Sequence, residues 1–328
     1  MRVLVTGGAG YIGSHTVREL VGAGHDLLVY DDLSSGHRQA IGDVPLEVGD
    51  ILDVEHLRRV VNEFAPDAVV HFAGLIQAGE SMHKPLEYYR TNVVGGLSLL
   101  TVMKEASVKR VVFSSSAAVY GTPDDVPIPE THRTLPINTY GTTKHVFELM
   151  LEDFRRAYGL GFVSLRYFNA AGADVSGDLG EAHPVETHLI PLVFRAVMGK
   201  GAPLKVFGNA YDTPDGTCVR DYVHVTDLAL AHVLALRAIA EGEGKTYNVG
   251  TGTGYSVLEV IRAVEEVTGQ RVPHEVGPAR AGDPPALVAM AQKIRDELGW
   301  EPKLSSLKDI LQSAWKWHSS HPEGYEHG

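Results

Sequence analysis

The segment Gly7-Gly8-Ala9-Gly10-Tyr11-Ile12-Gly13 restricts what this chain can fold into more than any other stretch. It lies between a short apolar run, Arg2–Thr6, and a helical pattern over Tyr11–Ala23 that ends near Gly24. A strand, a loop with glycines spaced G-x-x-G-x-x-G and a helix make the opening of a dinucleotide-binding unit. Glycine permits the tight turn and lets the backbone approach a pyrophosphate. The helix N-terminus adds free N–H groups and a partial positive charge. A second strand, His25–Tyr30, then ends at Asp31. A carboxylate there accepts from ribose hydroxyls and repels a 2′-phosphate, so the pattern favours NAD over NADP. Asp31-Asp32 can also be an acidic surface turn, and Arg38 nearby works against the NAD preference; the strand–loop–helix setting carries the cofactor reading.

The alternation continues. Asp53–Phe64 places Val54, Leu57, Val60, Val61 and Phe64 on one helical stripe. Ala68–Phe72, Arg110–Ser114 and Gly161–Arg166 read as strands, and Pro85–Ala106 and Tyr140–Tyr158 as long helices. This βαβα order predicts an α/β fold, a Rossmann-type doubly wound parallel sheet covered on both faces. After about Asn169 the rhythm breaks and Gly and Pro become frequent. Helices are expected at Leu189–Met198, Thr226–Glu241 and Val257–Thr268, with Thr246–Val249 returning to the main sheet as a late strand. The expected division is 1–169 for an NAD-binding domain and 170–328 mainly for a smaller α/β substrate lobe, with about 220–250 rejoining the first.

Bulk properties narrow the class. A chain of 328 residues corresponds to about two domains at roughly 100–200 residues each. The net charge of −12 argues against a nucleic-acid binder, which needs a basic footprint. It leaves room for an anionic small substrate, because a few arginines suffice for one diphosphate. The single cysteine, Cys218, has no partner for an intrachain disulfide and reads as a plain thiol in a reducing compartment. There is no apolar run of about 18 residues and no signal-like segment after Met1, so a cytoplasmic protein without membrane contact is expected. His183, Glu186 and His188 fall within six residues. Without cysteines or an H-E-x-x-H helix they read as a polar loop, and no metal is expected.

Chemistry is carried by Tyr140 and Lys144, four apart and so on one face of a helix. A free tyrosine, with a pKa near ~10, is a poor base at neutral pH. A lysine ammonium and a positive nicotinamide favour the phenolate, which can then take a proton from a hydroxyl as hydride leaves. By itself Y-x-x-x-K is a weak signal. It gains weight from Ser114-Ser115-Ser116 at the C-terminal edge of a predicted strand, where Ser116 points into the ligand crevice.

Together these features resemble the extended short-chain dehydrogenases/reductases, and across nearly the whole chain the UDP-glucose 4-epimerases. The matching stretches include Val5–Ser14, Gly49–Ile51, His71–Gly74, Lys84–Tyr89, Phe113–Gly121, Leu165–Asn169, Gly216–His224 and Ala281–Pro284. The resemblance implies bound NAD held by Gly7, Gly10, Tyr11, Ile12, Gly13, Asp31, Asp32, Leu33, Ser35, Gly36, Asp50, Ile51, Phe72, Ala73, Gly74, Asn92, Ser114, Tyr140, Lys144 and Phe168. It implies a UDP-sugar held by Ser116, Tyr140, Asn169, His188, Leu189, Lys205, Val206, Phe207, Arg220, Tyr222, Arg280, Asp283 and Leu287. The arginines suit diphosphate oxygens, Asp283 ribose hydroxyls and Phe207 the pyrimidine. The implied reaction oxidises C4 of the sugar, turns the 4-ketohexose in the pocket and re-reduces it from the other face, in a homodimer paired through Pro85–Ala106 and Tyr140–Tyr158.

The chain departs from the family at Ile76, where some members carry a lysine, and at His188, where some carry an asparagine. Leu287 stands where some carry a bulky tyrosine that screens out N-acetyl sugars, which implies room for UDP-N-acetylglucosamine and UDP-N-acetylgalactosamine. A 4,6-dehydratase would need acids where this chain has Ala117 and Ala118. A UDP-pentose or UDP-uronate 4-epimerase and a decarboxylase share the oxidation step. A non-catalytic NAD sensor would have no need of Tyr140, Lys144 and Ser116 together.

Overall fold

The computed structural model describes residues 1–279 and 283–325. The strands are β1 (Arg2–Thr6), β2 (Asp26–Asp31), β3 (Leu46–Val48), β4 (Ala68–His71), β5 (Arg110–Ser116), β6 (Gly161–Tyr167), β7 (Asn169–Ala171), β8 (Leu204–Phe207), β9 (Val219–His224), β10 (Gly244–Val249), β11 (Gly254–Ser256), β12 (His274–Gly277) and β13 (Ala286–Leu287). Seven form one sheet in the order β10-β6-β5-β4-β1-β2-β3. Every pairing within it is parallel. The order reverses at β1, between β4 and β2. In doubly wound sheets such a switch point opens a crevice at the carboxyl ends of the strands.

Strand residues alternate between two cores. Val3 and Val5 of β1 join the side covered by the Tyr11–Gly22 and Val225–Ala238 helices, through Val17, Leu20, Leu228 and Leu236. Leu4 and Val69 face the other side with Leu57, Leu99, Phe147 and Leu151 from the helices stacked there. Being buried on both faces, β1, β4 and β5 read as continuous apolar runs, the mark of parallel strands. The late strand β10 lies where expected, beside β6 in register Gly244↔Phe162 to Val249↔Tyr167.

The remaining strands form smaller sheets. β9 pairs with β7, β11 and β13, and β8 pairs with β12. They pack with helices Leu189–Val197, Val257–Thr268 and Leu307–Ser320 around a third core that includes Val193, Phe194, Val264 and Ile310. A capping box at Ser256 and Glu259 starts the Val257–Thr268 helix.

The segment expected as one helix, Pro85–Ala106, is helical to Glu105 but changes pitch. A wide π turn occupies Tyr89–Gly95. Close packing accompanies it: a Cβ on Gly95 would stand 2.6 Å from Ile51, and one on Gly96 would stand 2.4 Å from Phe147. Such turns place one residue off the helical period, and Asn92 is carried inward here. Among the described residues no helix is long and apolar enough to cross a membrane.

Candidate active site

A cavity of about 710 Å³ lies over the carboxyl ends of the main sheet and extends to the smaller lobe. The glycine loop forms one end. Gly7 has φ 70°, and a Cβ there would stand 2.4 Å from the Ala73 amide nitrogen. A Cβ on Gly13 would stand 2.3 Å from the Gly7 carbonyl oxygen. Gly10 is different. Its Cβ would meet only the Gly7 carbonyl, at 3.5 Å, and would otherwise project into the cavity. The loop thus needs glycine twice for packing and once to leave ligand space.

Asp31 is buried at the end of β2. Its carboxylate accepts from the Ala9 and Leu33 amides at 2.9 Å each. Burial raises its pKa, and those two amides oppose the rise. A carboxylate offers about four lone-pair sites, so two remain for ribose hydroxyls. Asp32, Ser35, Gly36, Asp50, Ile51, Phe72, Ala73 and Gly74 also line the cavity, as do Tyr11 and Ile12. Arg38 instead donates to the Gly42 carbonyl and is no part of the wall. The residues present fit NAD: a glycine cradle at a helix start, and an acid at the next strand end.

Two predicted cofactor residues stand outside the cavity wall. Leu33, at φ 58°, turns its side chain onto the first core and offers only its amide to Asp31. Asn92 lies one layer behind. It bonds both the amide and carbonyl of Leu75, at 2.8 and 3.0 Å, and donates to Thr143 Oγ1 at 3.0 Å. It therefore fastens the Gly74-Leu75 wall to the helix that carries Lys144.

That helix, Thr139–Tyr158, starts where Asn138 accepts from the Gly141 amide, and ends at Gly159 in the left-handed region. Its first turns bring Tyr140 and Lys144 beside the end of β5. Ser116 and Tyr140 line the same cavity, and the Ser116 hydroxyl favours the ionised phenol of Tyr140. Lys144 Nζ donates to the Ser114 carbonyl at 2.8 Å and lies 5.8 Å from the Tyr140 ring centroid. Burial brings the Lys144 ammonium down to about 8, with the Glu148 carboxylate opposing that fall. The Tyr140 phenol shifts in the opposite direction. Burial pushes the phenol up, and only the Ser116 hydroxyl opposes it.

A buried network supports the pair. Arg166 forks onto Glu148, Nε to Oε1 at 2.9 Å and Nη2 to Oε2 at 2.7 Å. Ser115 donates to Glu148 Oε1 at 2.7 Å, and Arg166 reaches the Tyr120 hydroxyl at 3.1 Å. Strands β5 and β6 and the helix are thereby locked together one turn beyond Lys144. Sequence reasoning missed this set, together with Tyr167, whose hydroxyl meets Ser114 Oγ at 2.7 Å. An i, i+4 spacing from Lys144 to Glu148 was the available signal, but nothing local announces its partner on β6.

On the substrate side the wall includes Phe168, Asn169, His188, Arg220, Asp283 and Leu287. Arg220 Nη2 donates to Asp283 at 2.5 Å and Nη1 to the Val219 carbonyl at 2.8 Å. His188 reaches the wall, but its Nδ1 turns to Glu181 and Glu186. Five predicted contacts are absent from this wall. Val206 and Tyr222 are buried in the third core, and Leu189 packs against it. Lys205 occupies the exposed face of β8, its Nζ 5.5 Å from the Phe207 ring centroid. Phe207 ends the same strand, outside the wall. The alternation of a strand explains why three consecutive residues cannot all face one ligand. Arg280 lies outside the described residues.

A doubly wound sheet with a glycine cradle, a buried acid and a Ser–Tyr–Lys cluster defines an NAD-dependent enzyme of the short-chain dehydrogenase type. The chain belongs to the NAD-dependent epimerase/dehydratase family, whose model matches residues 3–250. It is 53% identical to UDP-glucose 4-epimerase of Azospirillum brasilense, over 97% of this chain and 92% of that protein. It is 48% identical to UDP-glucose 4-epimerase of Halalkalibacterium halodurans, over 99% of this chain and 98% of that one. Among solved structures, UDP-glucose 4-epimerase of Bifidobacterium longum in complex with NAD+ and UDP superposes with a TM-score of 0.95, at 43% identity, covering 99% of this chain and 100% of that one.

Proposed function

We propose that this chain interconverts UDP-glucose and UDP-galactose by oxidising C4 of the sugar and reducing it again from the opposite face. The observation that carries the reading is that Tyr140 and Ser116 line one cavity whose neighbouring positions are Ala117 and Ala118. A base and a hydroxyl for alcohol oxidation are present there, while the acid that dehydration needs is absent. NAD, when bound, supplies the acceptor that takes hydride from C4 and gives it back.

The chain's own groups do the rest. Ser116 orients the 4-hydroxyl. Tyr140 takes its proton and later returns one. Lys144 favours the phenolate and holds the nicotinamide ribose. Burial favours the neutral phenol, and positive charge beside it would favour the phenolate. Arg220 and Asp283 hold the nucleotide end, together with Asn169 and Arg280. Arg220 keeps free N–H groups beyond its two bonds and can fork onto a diphosphate. The mechanism requires a firm hold on the nucleotide and a sugar end loose enough for a 4-keto intermediate to turn.

The same reading includes a cofactor-binding part, residues 1–169 with about 220–250 rejoining it, and a substrate lobe in the remainder of 170–328. It includes a cytoplasmic setting for a chain whose one cysteine is free and buried. It also includes a homodimer: Leu86, Tyr89, Val94 and Leu97 on one helical segment, and Leu149 and Tyr158 on the other, expose apolar surface. At the sugar end Leu287 lines the cavity, and the side chain is smaller than a tyrosine would be. This favours turnover of the N-acetylated UDP-sugars as a second activity.

The test is incubation of pure protein with UDP-galactose, UDP-N-acetylgalactosamine and a UDP-pentose, without added NAD, with identification of the products. UDP-glucose from the first is expected, and UDP-N-acetylglucosamine from the second. A chain that turns over only the pentose, or that needs added NAD in stoichiometric amounts, contradicts the reading.

A further inference from the structure

The loop 181–188 holds a cluster that the epimerisation chemistry does not use. Glu181, His183, Glu186 and His188 bring one ligand atom each to within 4.8 Å of one another. The closest approaches are Glu181 Oε1 to His188 Nδ1 at 2.7 Å and to His183 Nδ1 at 3.3 Å. Glu186 lies 3.3 Å from His183 Nδ1 and 3.1 Å from His188 Nδ1. We propose that these four residues form a closed, four-coordinate site for a divalent transition-metal ion of the Zn2+ type.

Three observations carry this. First, bonds of about 2.0–2.2 Å in a tetrahedron put neighbouring ligand atoms about 3.3–3.6 Å apart; the nearest approaches here run from 2.7 to 3.3 Å, and all four ligand atoms lie within 4.8 Å of one another. Second, Glu181 Oε1 is buried, and despite two imidazole nitrogens this near it has no well-aligned hydrogen-bond partner. Glu186 is paired with both imidazoles, His183 through Oε2 and His188 through Oε1, which leaves Glu181 Oε1 as the buried acceptor that an ion would satisfy. Third, the ligands are braced from outside. The amides of Thr187 and His188 donate to Glu186 at 2.8 Å each, and Trp317 Nε1 donates to the Glu181 carbonyl at 3.0 Å. The Tyr11 ring stands edge-on to His183. Such outer bonds orient metal ligands.

Charge balance agrees. Two carboxylates with two neutral imidazoles and one divalent ion sum to zero. The two imidazole ring centroids stand 5.2 Å apart. Imidazole and carboxylate together suit Zn2+ and other first-row divalent ions. With all four positions filled by protein, the ion has no open site for substrate. Its role is to pin the loop, through Pro184, Val185 and His188, against the cavity it helps to line. Gln77 tethers the same loop by donating to the Val185 carbonyl at 3.2 Å.

The proposal is independent of the sugar that the enzyme turns over. The test uses the full chain with NAD bound, stripped by a chelator and then titrated with Co2+ and with Zn2+. The expected results are one ion per chain, a tetrahedral ligand-field band with Co2+ that Zn2+ abolishes, and a melting temperature that rises with Zn2+. The H183Q and E186Q variants should bind at least about 10–100-fold more weakly, the range for loss of supporting groups alone. A wild-type protein that takes up no Zn2+ and shows no tetrahedral Co2+ band overturns the proposal, whether or not the variants fold. Equal affinity in wild type and folded variants overturns it too.

Discussion

At the scale of single residues, the proposed chemistry rests on a phenol that burial makes harder to ionise. Tyr140 and Lys144 are both buried, and burial disfavours the charged form of each. Replacing Tyr140 with Phe removes only the hydroxyl. Turnover should fall by about 10²–10⁴-fold, the span for general acid–base groups, while NAD stays bound by absorbance. Retained turnover in Y140F would mean another base. Leu287 sets a second prediction. Leu287→Tyr should suppress turnover of N-acetylated UDP-sugars and leave the plain hexoses close to wild type; equal losses on both would remove Leu287 from specificity.

At the scale of elements, the loop and the helix were legible for different reasons. The glycine loop could be read because each glycine has a steric reason that is local in sequence, as the 2.3 Å approach of a Gly13 Cβ to Gly7 shows. Gly13→Ala should therefore lose bound NAD and lower thermal stability, measured by cofactor content and melting. The Tyr140–Lys144 spacing was legible because a helix imposes it. The π turn at Asn92 was not, since it depends on how Gly95 and Gly96 pack against Ile51 and Phe147, which are distant in sequence. The setting of the β8 residues was hidden for the same kind of reason. A family pattern names Lys205, Val206 and Phe207 together, but strand alternation sends Val206 into the core and Lys205 to solvent. The Glu148–Arg166 pair joins elements that no sequence period links. Breaking one partner of a buried pair costs about 3–5 kcal/mol, so Glu148→Leu should lower unfolding free energy by that order in denaturant titration. An unchanged midpoint would show that the network does not hold the helix.

At the scale of the whole molecule, both stability and assembly follow from what is buried or left bare. Burial holds the His15 and His232 imidazoles down to about 4 and His71 to about 3. The folded chain leaves them neutral while an unfolded chain protonates them near ~6.5. Between those values the unfolded state binds more protons, so stability falls as pH drops from about 6.5 toward 4. Melting temperatures measured across that range should decline steadily, and a flat profile would show that the buried imidazoles do not govern it. The bare apolar residues predict self-association. A Leu97→Glu and Leu149→Glu double variant should sediment as a monomer where the wild type sediments as a dimer.

The central claim is that one carbon is oxidised and re-reduced without its hydrogen leaving the protein. UDP-glucose carrying deuterium at C4, incubated with the pure chain in ordinary water, tests that most directly by mass and NMR analysis of the product. The account predicts UDP-galactose with the deuterium still at C4. Loss of the label to solvent, or inversion that proceeds equally well in Y140F, would contradict it.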